Sequence, residues 1–386
     1  MNPPGSADRS PQRVCSIPAV VTDDSRHCEK RSDEAIQATA GEPTGLLRCA
    51  RNDGLGSVSP AAIVRHNSTR RIATWLAQTR RPVVYGSLGV LALTLSGNRS
   101  PATEPSSILN AVGVESEYAD VITQVGGQYV TVTAIETDPN TDPHSFEVSP
   151  TVATAIAESD LIVKNGVGYD SWADKIIAAA PSTNRQVIGV QQLLGLPDST
   201  PNPHLWYDPK TMPVVANAVA EALSQLQPAH AQYFQANVKR FDASLKPWLA
   251  AVAAFKAKYS GVPVAVTEPV ADYMLEAVGA DIATPFSLQA AIMNGTDPSP
   301  QDVTTQNALF SSHQVKVFVY NQQVTDPLTQ SFLDLAKQND IPVVGVYETM
   351  PTPGYNYQSW MLAEVDALRK AVTKKISTET LEAGTK

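Results

Sequence analysis

Cysteine is scarce in this sequence and is confined to one end. Cys15, Cys28 and Cys49 all lie within the first 50 of 386 residues, and their spacing matches neither a zinc-finger motif nor a paired redox motif. Because no cysteine follows Cys49, a disulfide framework and a thiolate metal site are excluded for most of the chain.

Basic residues are also in short supply. The chain has 29 Lys and Arg against 38 Asp and Glu, a formal charge of −9. Nucleic-acid phosphates require a basic face, so we expect no nucleic-acid partner. The charge is unevenly distributed, because residues 1–105 carry +4 and residues 106–386 carry −13.

Several nucleotide and hydrolase signatures are missing. There is no G-x-x-x-x-G-K-[ST] loop, and "NGVGYD" at 165–170 lacks the third glycine of a dinucleotide turn. Neither H-E-x-x-H nor G-x-S-x-G occurs, which excludes the commonest zinc-protease and serine-hydrolase signatures.

Long hydrophobic runs are absent after residue 97. The run at 83–97, "VVYGSLGVLALTLSG", follows Arg70, Arg71, Arg80 and Arg81. A positive segment before a short apolar core is typical of a secretory signal, and this core is too short to span a membrane. We therefore predict an export signal at about 68–97, followed by a linker to residue 105, and a periplasmic or otherwise exported protein. The alternative is a buried amphipathic helix.

Residues 1–67 are rich in Pro, Gly, Ser and Arg and show no helical or strand period, so we expect them not to fold. The stretches "SRHCEKRSDEAIQ" and "GLLRCARND" resemble the translated product of a dispersed bacterial intergenic repeat. This resemblance implies that the native start lies further downstream. The alternative is an ordinary disordered tail.

Short apolar runs alternate with helical patterns in the remainder, which is typical of βαβ units with parallel sheets. A stretch at 228–259 has helical spacing without strand formers, and Pro247 should kink it. We therefore predict an α/β fold with an N-terminal lobe at 106–227, a linking helix at 228–259 and a C-terminal lobe at 260–386. The predicted strands are "YVTVTAIE", "LIVKNG", "RQVIGV", "VPVAVTE", "VKVFVYN" and "IPVVGVYE".

Two histidines share a local pattern. His144 lies in "TDPHSFE" and His204 in "PNPHLWYDP", each directly after a proline and two residues before an aromatic. Proline stiffens the loop and the aromatic excludes water, so both imidazoles are candidate metal ligands. The alternative for each is a structural histidine. We expect His230 to be an exposed helix residue and His313 a loop residue.

Two carboxylates occupy matching places in the second lobe. Glu268 ends "VPVAVTE" and Glu348 ends "IPVVGVYE". In open parallel sheets ligands bind beyond the carboxyl ends of the strands, where a buried carboxylate needs a cation. The alternative for each is an exposed loop residue.

The order of these motifs resembles the metal-binding subfamily of ABC-transporter solute-binding proteins, which carry zinc, manganese or iron. The segments "ILNAVGVESEYADVITQVGG" and "NGTDPSPQDV" add to this resemblance. It implies two lobes, each a mainly parallel sheet flanked by helices, joined by one long rigid helix. It also implies a metal ion bound between the lobes by His144, His204 and Glu268. The fourth ligand of the family is usually an Asp; here Glu348 is the substitute.

The resemblance implies a divalent transition metal as cargo, Zn²⁺ or Mn²⁺ or else Fe²⁺, delivered to an ABC-type membrane permease. Zinc-specific members usually have three histidines and a His-rich loop, which this chain lacks, so manganese or iron is favoured. We expect a monomer that is not an enzyme. Two alternatives stay open: an exported metallohydrolase with Glu268 or Glu348 as general base, and a binding protein for an organic ligand such as a metal chelate, against which the 6% aromatic content argues.

Overall fold

The computed structural model describes residues 108–351 and 354–382. The predicted N-terminal extension at 1–67 and the predicted export signal and linker at 68–105 lie outside the described residues. Within the described ranges, no helix combines the length and apolar character needed to cross a membrane.

Two four-stranded sheets form the framework of the described chain, and all neighbouring strands pair in parallel. Val and Ile are frequent in these strands, because branched side chains suit a buried pleated surface. The first sheet contains β1 (Leu109–Glu115), β2 (Val130–Glu136), β3 (Leu161–Lys164) and β4 (Gln186–Gly189), and the second contains β5 (Pro263–Val266), β6 (Asp281–Ile282), β7 (Val317–Asn321) and β8 (Val343–Val346).

Helices follow the strands along the chain and pack against the sheets. Several begin with a side-chain cap that satisfies free backbone N–H groups, such as Asp326, which accepts from the backbone of Thr329. The helices are α1 (Ser116–Gly126), α2 (Pro150–Glu158), α3 (Ser171–Ala179), α4 (Val190–Leu193), α5 (Thr211–Leu226), α6 (Ala231–Ser244), α7 (Lys246–Tyr259), α8 (Asp272–Ala277), α9 (Phe286–Met293), α10 (Pro300–Ser311), α11 (Pro327–Gln338) and α12 (Tyr357–Lys374).

Both sheets have the same strand order, β2-β1-β3-β4 in the first lobe and β6-β5-β7-β8 in the second. In each lobe the second strand of the chain lies on one side of the first strand, and the third strand lies on the other side. The direction in which strands are added therefore reverses at the first strand. Ligands of open α/β sheets bind at such a reversal, beyond the carboxyl ends of the strands. The topology therefore provides two crevices, one per lobe. The predicted fold of two mainly parallel α/β lobes is confirmed.

The linking segment is helical, as predicted, but it consists of two helices. α6 ends at Ser244 and α7 begins at Lys246, with Leu245 between them. Pro247 has no N–H to donate to the preceding turn, which explains the interruption. α6 packs on α1 and α5 of the first lobe, whereas α7 packs on α8 and α12 of the second. The lobe boundaries 106–227, 228–259 and 260–386 stay predictions.

The largest apolar core is shared by both lobes. It contains the buried rings of Trp206, Trp248 and Trp360. Hydrogen bonds also cross from one lobe to the other, because the Tyr207 hydroxyl donates to the Tyr347 carbonyl at 2.8 Å. The ends of the strands of both sheets are therefore held in a fixed relation.

Candidate metal centre

Loops after the strands carry the predicted ligands. His144 lies in a helical turn, Pro143–Ser145, in the loop after β2, where the Asp142 carboxylate accepts from the His144 backbone N–H at 2.8 Å. His204 precedes a second turn, Leu205–Tyr207, in the loop between α4 and α5. Glu348 follows the end of β8 by two residues. The two lobes thus contribute side chains to one place.

Three of the predicted side chains meet at one carboxylate oxygen. Glu348 Oε2 lies 3.1 Å from His204 Nε2 and 3.4 Å from His144 Nε2. The three ligand atoms all lie within 4.8 Å of one another. Zinc bonds of about 2.1 Å in a tetrahedron separate ligand atoms by about 3.4 Å. The spacing therefore suits a small divalent ion.

The ring orientation of His204 is fixed by Asn202. The Asn202 amide group donates to the Pro269 carbonyl at 2.7 Å, so its oxygen faces His204. That oxygen accepts from His204 Nδ1 at 2.8 Å, which places the proton on Nδ1 and leaves Nε2 with a lone pair. His204 Nε2 and the ionised Glu348 oxygen are then two acceptors in contact, and only a proton or a metal ion between them relieves the repulsion.

The titration of the three groups fits this arrangement. Burial lowers the pKa of His204, which favours its neutral form. Burial also opposes the charge of His144, but its hydrogen bond with Glu348 and the charges of Glu348 and Asp142 together outweigh that effect and raise the pKa of His144. Burial would raise the pKa of Glu348, yet its interactions with His144 and His204 hold it well below its usual range.

Glu268 lies beside this group but is not one of the three clustered ligands. Its side chain is 3% exposed, and Oε2 has no hydrogen-bond partner among the described residues. Oε1 accepts at 3.3 Å from Asn321 Nδ2, which also donates to Glu348 Oε1 at 2.7 Å. Burial and the charge of Glu348 raise the pKa of Glu268 well above its usual value. An unpaired, buried carboxylate oxygen is the kind of group that a bound cation would satisfy.

Other residues complete the site, and sequence reasoning missed their roles. Tyr169, within "NGVGYD", donates to Glu348 Oε2 at 3.0 Å. Asn321 ends β7, so the rule that selected Glu268 and Glu348 from strand ends could have selected it too. By contrast, His230 stacks on Tyr129 with ring centroids 3.8 Å apart, and His313 is exposed in the loop before β7. Neither belongs to the cluster.

The fold and the site together define a class of protein: two α/β lobes, joined by a helical connection, with a cation-sized group of His and Glu ligands where their strand ends meet. The chain belongs to the family described as zinc-uptake complex component A periplasmic, ZnuA, whose model matches residues 115–371.

Curated relatives share about a quarter of the aligned residues. The chain is 25% identical over 175 residues to the manganese ABC transporter substrate-binding lipoprotein PsaA of Streptococcus mitis. This alignment covers 42% of this chain and 56% of PsaA. The chain is 23% identical over 169 residues to the iron-binding protein YfeA of Yersinia pestis, covering 42% and 53%. The matched segment therefore spans about half the length of these relatives.

Solved structures match over a longer range. The chain resembles the solute-binding protein FpvC of Pseudomonas aeruginosa in complex with Mn²⁺, with a TM-score of 0.58 and 19% identity. That alignment covers 69% of this chain and 98% of FpvC. At this identity the likeness establishes the two-lobed fold.

Proposed function

We propose that this protein is an exported solute-binding protein that captures one divalent transition metal ion between its lobes and delivers it to the membrane permease of an ABC transporter. The proposal depends mainly on one observation: Glu348 Oε2 lies 3.1 Å from His204 Nε2 and 3.4 Å from His144 Nε2. Membership of a metal-uptake family supports it.

The four ligands we propose are His144, His204, Glu268 and Glu348. The first two come from the first lobe and the last two from the second, so the ion itself bridges the lobes. Two neutral imidazoles and two carboxylates bring a charge of −2, which balances a divalent cation. For Glu268 the support is its unpaired buried oxygen and its link to Glu348 through Asn321.

The ligand chemistry bears on the cargo. Two imidazoles suit zinc, whereas two carboxylates shift preference towards the harder manganese and ferrous ions. We propose Zn²⁺, Mn²⁺ or Fe²⁺ as cargo. Compared with a site of three histidines, this ligand set favours manganese or iron. Among relatives, the names of PsaA and YfeA specify manganese and iron.

Four protein ligands leave little room for a reacting water, which supports capture rather than catalysis. The family and its relatives support transport and give no support to the metallohydrolase alternative. We further propose that the protein works as a monomer in the periplasm or another exported location.

Equilibrium dialysis of the full chain against buffered Zn²⁺, Mn²⁺ and Fe²⁺, under anaerobic conditions for iron, tests the proposal. We expect one ion per chain from free metal. Uptake only of a chelated metal would instead favour an organic ligand. Uptake of less than about half an equivalent from every free ion would contradict metal capture.

A further inference from the structure

Gln323 extends from the second lobe to the loop of the first lobe that carries His144. It lies two residues beyond Asn321, the last residue of β7, and is 5% exposed. The Asn321 side chain accepts from the Gln323 backbone N–H at 3.0 Å, which fixes the start of the side chain. Gln323 is therefore buried and anchored on the second lobe.

The oxygen of the Gln323 amide group binds the second lobe, whereas its nitrogen binds both lobes. Its oxygen accepts from the backbone N–H groups of Glu348 and Thr349 at 2.5 and 3.0 Å. Its nitrogen donates to the first lobe at 2.7 Å (Thr141 carbonyl) and 3.4 Å (Asp138 carbonyl), and to the Thr349 hydroxyl of the second lobe at 3.1 Å. One side chain thus joins the backbone of the Glu348 segment to the loop that positions His144.

The loop has few other attachments. Across residues 137–149, Pro143 is the only residue that is fully buried. Part of this loop and Thr349 of the second lobe line a cavity of about 260 Å³. Its lining includes the carboxylates of Glu136, Asp138 and Asp142. With so little packing, the hydrogen bonds of Gln323 contribute a large share of what holds the loop against Glu348.

We propose that Gln323 is a latch: it holds the His144 loop closed over Glu348, and opening its bonds to Asp138 and Thr141 is the step that lets the metal ion leave. The inference rests on the proposed function, because it assigns a positioning role within the same site. Gln323 contacts none of the side-chain atoms that we propose as metal ligands. It acts through the backbone of the Glu348 segment and of the His144 loop.

The substitution Gln323→Glu removes the hydrogen bonds that the Gln323 nitrogen donates and keeps those that its oxygen accepts. A carboxylate has the same length and still accepts from the Glu348 and Thr349 N–H groups, but it cannot donate to the first-lobe carbonyls. Gln322→Glu is the matched control, because it adds the same charge one position earlier without touching the latch. If Gln323→Glu does not fold, Gln323→Met, which keeps the length of the side chain, replaces it.

The test measures release of Mn²⁺ from the full chain into excess chromogenic chelator by stopped-flow absorbance, together with hydrogen exchange of the metal-free protein. We expect Gln323→Glu to retain one ion but to release it about 10-fold faster than Gln322→Glu, a size typical of one or two lost hydrogen bonds. Amides of 138–146 should exchange faster, whereas those of α12 should not change. Release accelerated by less than threefold, or unchanged exchange in 138–146, overturns the latch.

The two proposals fail in different ways. A wild-type chain that takes up none of Zn²⁺, Mn²⁺ and Fe²⁺ contradicts the proposed function, and the exchange of 138–146 then decides the latch alone. A wild-type chain that takes up Mn²⁺ and a Gln323→Glu variant with unchanged release contradict only the latch.

Discussion

Glu348 is the residue on which the site depends most. Its Oε2 receives a hydrogen bond from Tyr169 and faces both histidines, and its Oε1 accepts from Asn321. The carboxylate is fully buried, so its negative charge must be balanced by a proton or by a cation.

Replacing Glu348 by Gln removes that charge with little change of shape. We expect the affinity for Mn²⁺ to fall by more than roughly 100-fold. Loss of a residue that only supports a ligand lowers metal affinity by about 10- to 100-fold, so a larger loss indicates a ligand. Isothermal titration of wild type, Glu348→Gln and the control Glu379→Gln, an exposed carboxylate paired with Lys337, measures this. An affinity of Glu348→Gln equal to that of the control would remove Glu348 from the ligands.

Glu136 shows how buried carboxylates outside the cluster affect stability. It ends β2 directly beside Glu115 of β1 in the strand register. Burial raises the pKa of Glu136 to about 9; the charges of Glu117 and Asp170 add to this shift, and a hydrogen bond from Trp172 opposes it. Between the unfolded pKa near 4.5 and the folded value, the folded protein holds the extra proton.

Stability should therefore fall as pH rises through this window, by at most about 1.4 kcal/mol per pH unit for this group. Glu136→Gln keeps an acceptor for Trp172 and removes the titration. We expect the variant to be more stable than wild type at pH 8, with a smaller difference at pH 5. Urea unfolding at the two pH values tests this, and parallel pH profiles for both proteins would contradict it.

At the scale of single residues, the sequence predicts the histidines from their Pro-His-x-aromatic pattern and the carboxylates from their places at strand ends. The structure brings His144, His204 and Glu348 together. It did not identify Gln323, because its role depends on a contact with residues 182 and 185 positions away. Tyr169 stands in "NGVGYD", a segment that resembles an incomplete nucleotide loop and gives no signal of a metal site.

Among the elements, the junction of β1 and α1 positions the interface between the lobes. A Cβ on Gly113 would lie 2.3 Å from the backbone nitrogen of Ala119, so only glycine lets α1 pack this closely on β1. Ser116, the first residue of α1, accepts from the Met350 N–H of the second lobe at 2.9 Å.

Gly113→Ala should therefore push α1 away from the sheet, and we expect it to lower the free energy of unfolding by about 3 kcal/mol, as overpacking does. Gly195→Ala is the comparison, because Gly195 has φ +67° but open space around its Cβ position. Gly195→Ala should lower the free energy of unfolding by only about 1 kcal/mol, through backbone strain. Equal midpoints in thermal unfolding would contradict the packing argument.

All six strands predicted from apolar runs are present as β2, β3, β4, β5, β7 and β8. The sequence pattern alone could not reveal β6, because Asp281–Ile282 is two residues long and has no periodic run. The linking helix was predicted with its kink at Pro247, but the end of α6 at Ser244 depends on local backbone geometry that periodicity does not resolve.

For the whole molecule, the repeated strand order explains why the site lies between the lobes. Each lobe alone offers a crevice with half of the proposed ligands, and the shared core and the cross-lobe hydrogen bonds hold the two halves together. The sequence could predict the two lobes, but the meeting of their strand ends followed only from the resemblance, since no local pattern encodes the relation between distant sheets.

Manganese content of the full chain tests the central claim most directly, since Cys15, Cys28 and Cys49 are soft ligands that favour zinc over manganese. Wild type, the double variant His144→Asn/His204→Asn and the control His313→Asn are dialysed against buffered Mn²⁺ and then assayed for metal. We expect one Mn²⁺ per chain in wild type and control and less than a tenth of that in the double variant. Equal Mn²⁺ in all three proteins, or a wild type that takes up none of Mn²⁺, Zn²⁺ and Fe²⁺, would contradict it.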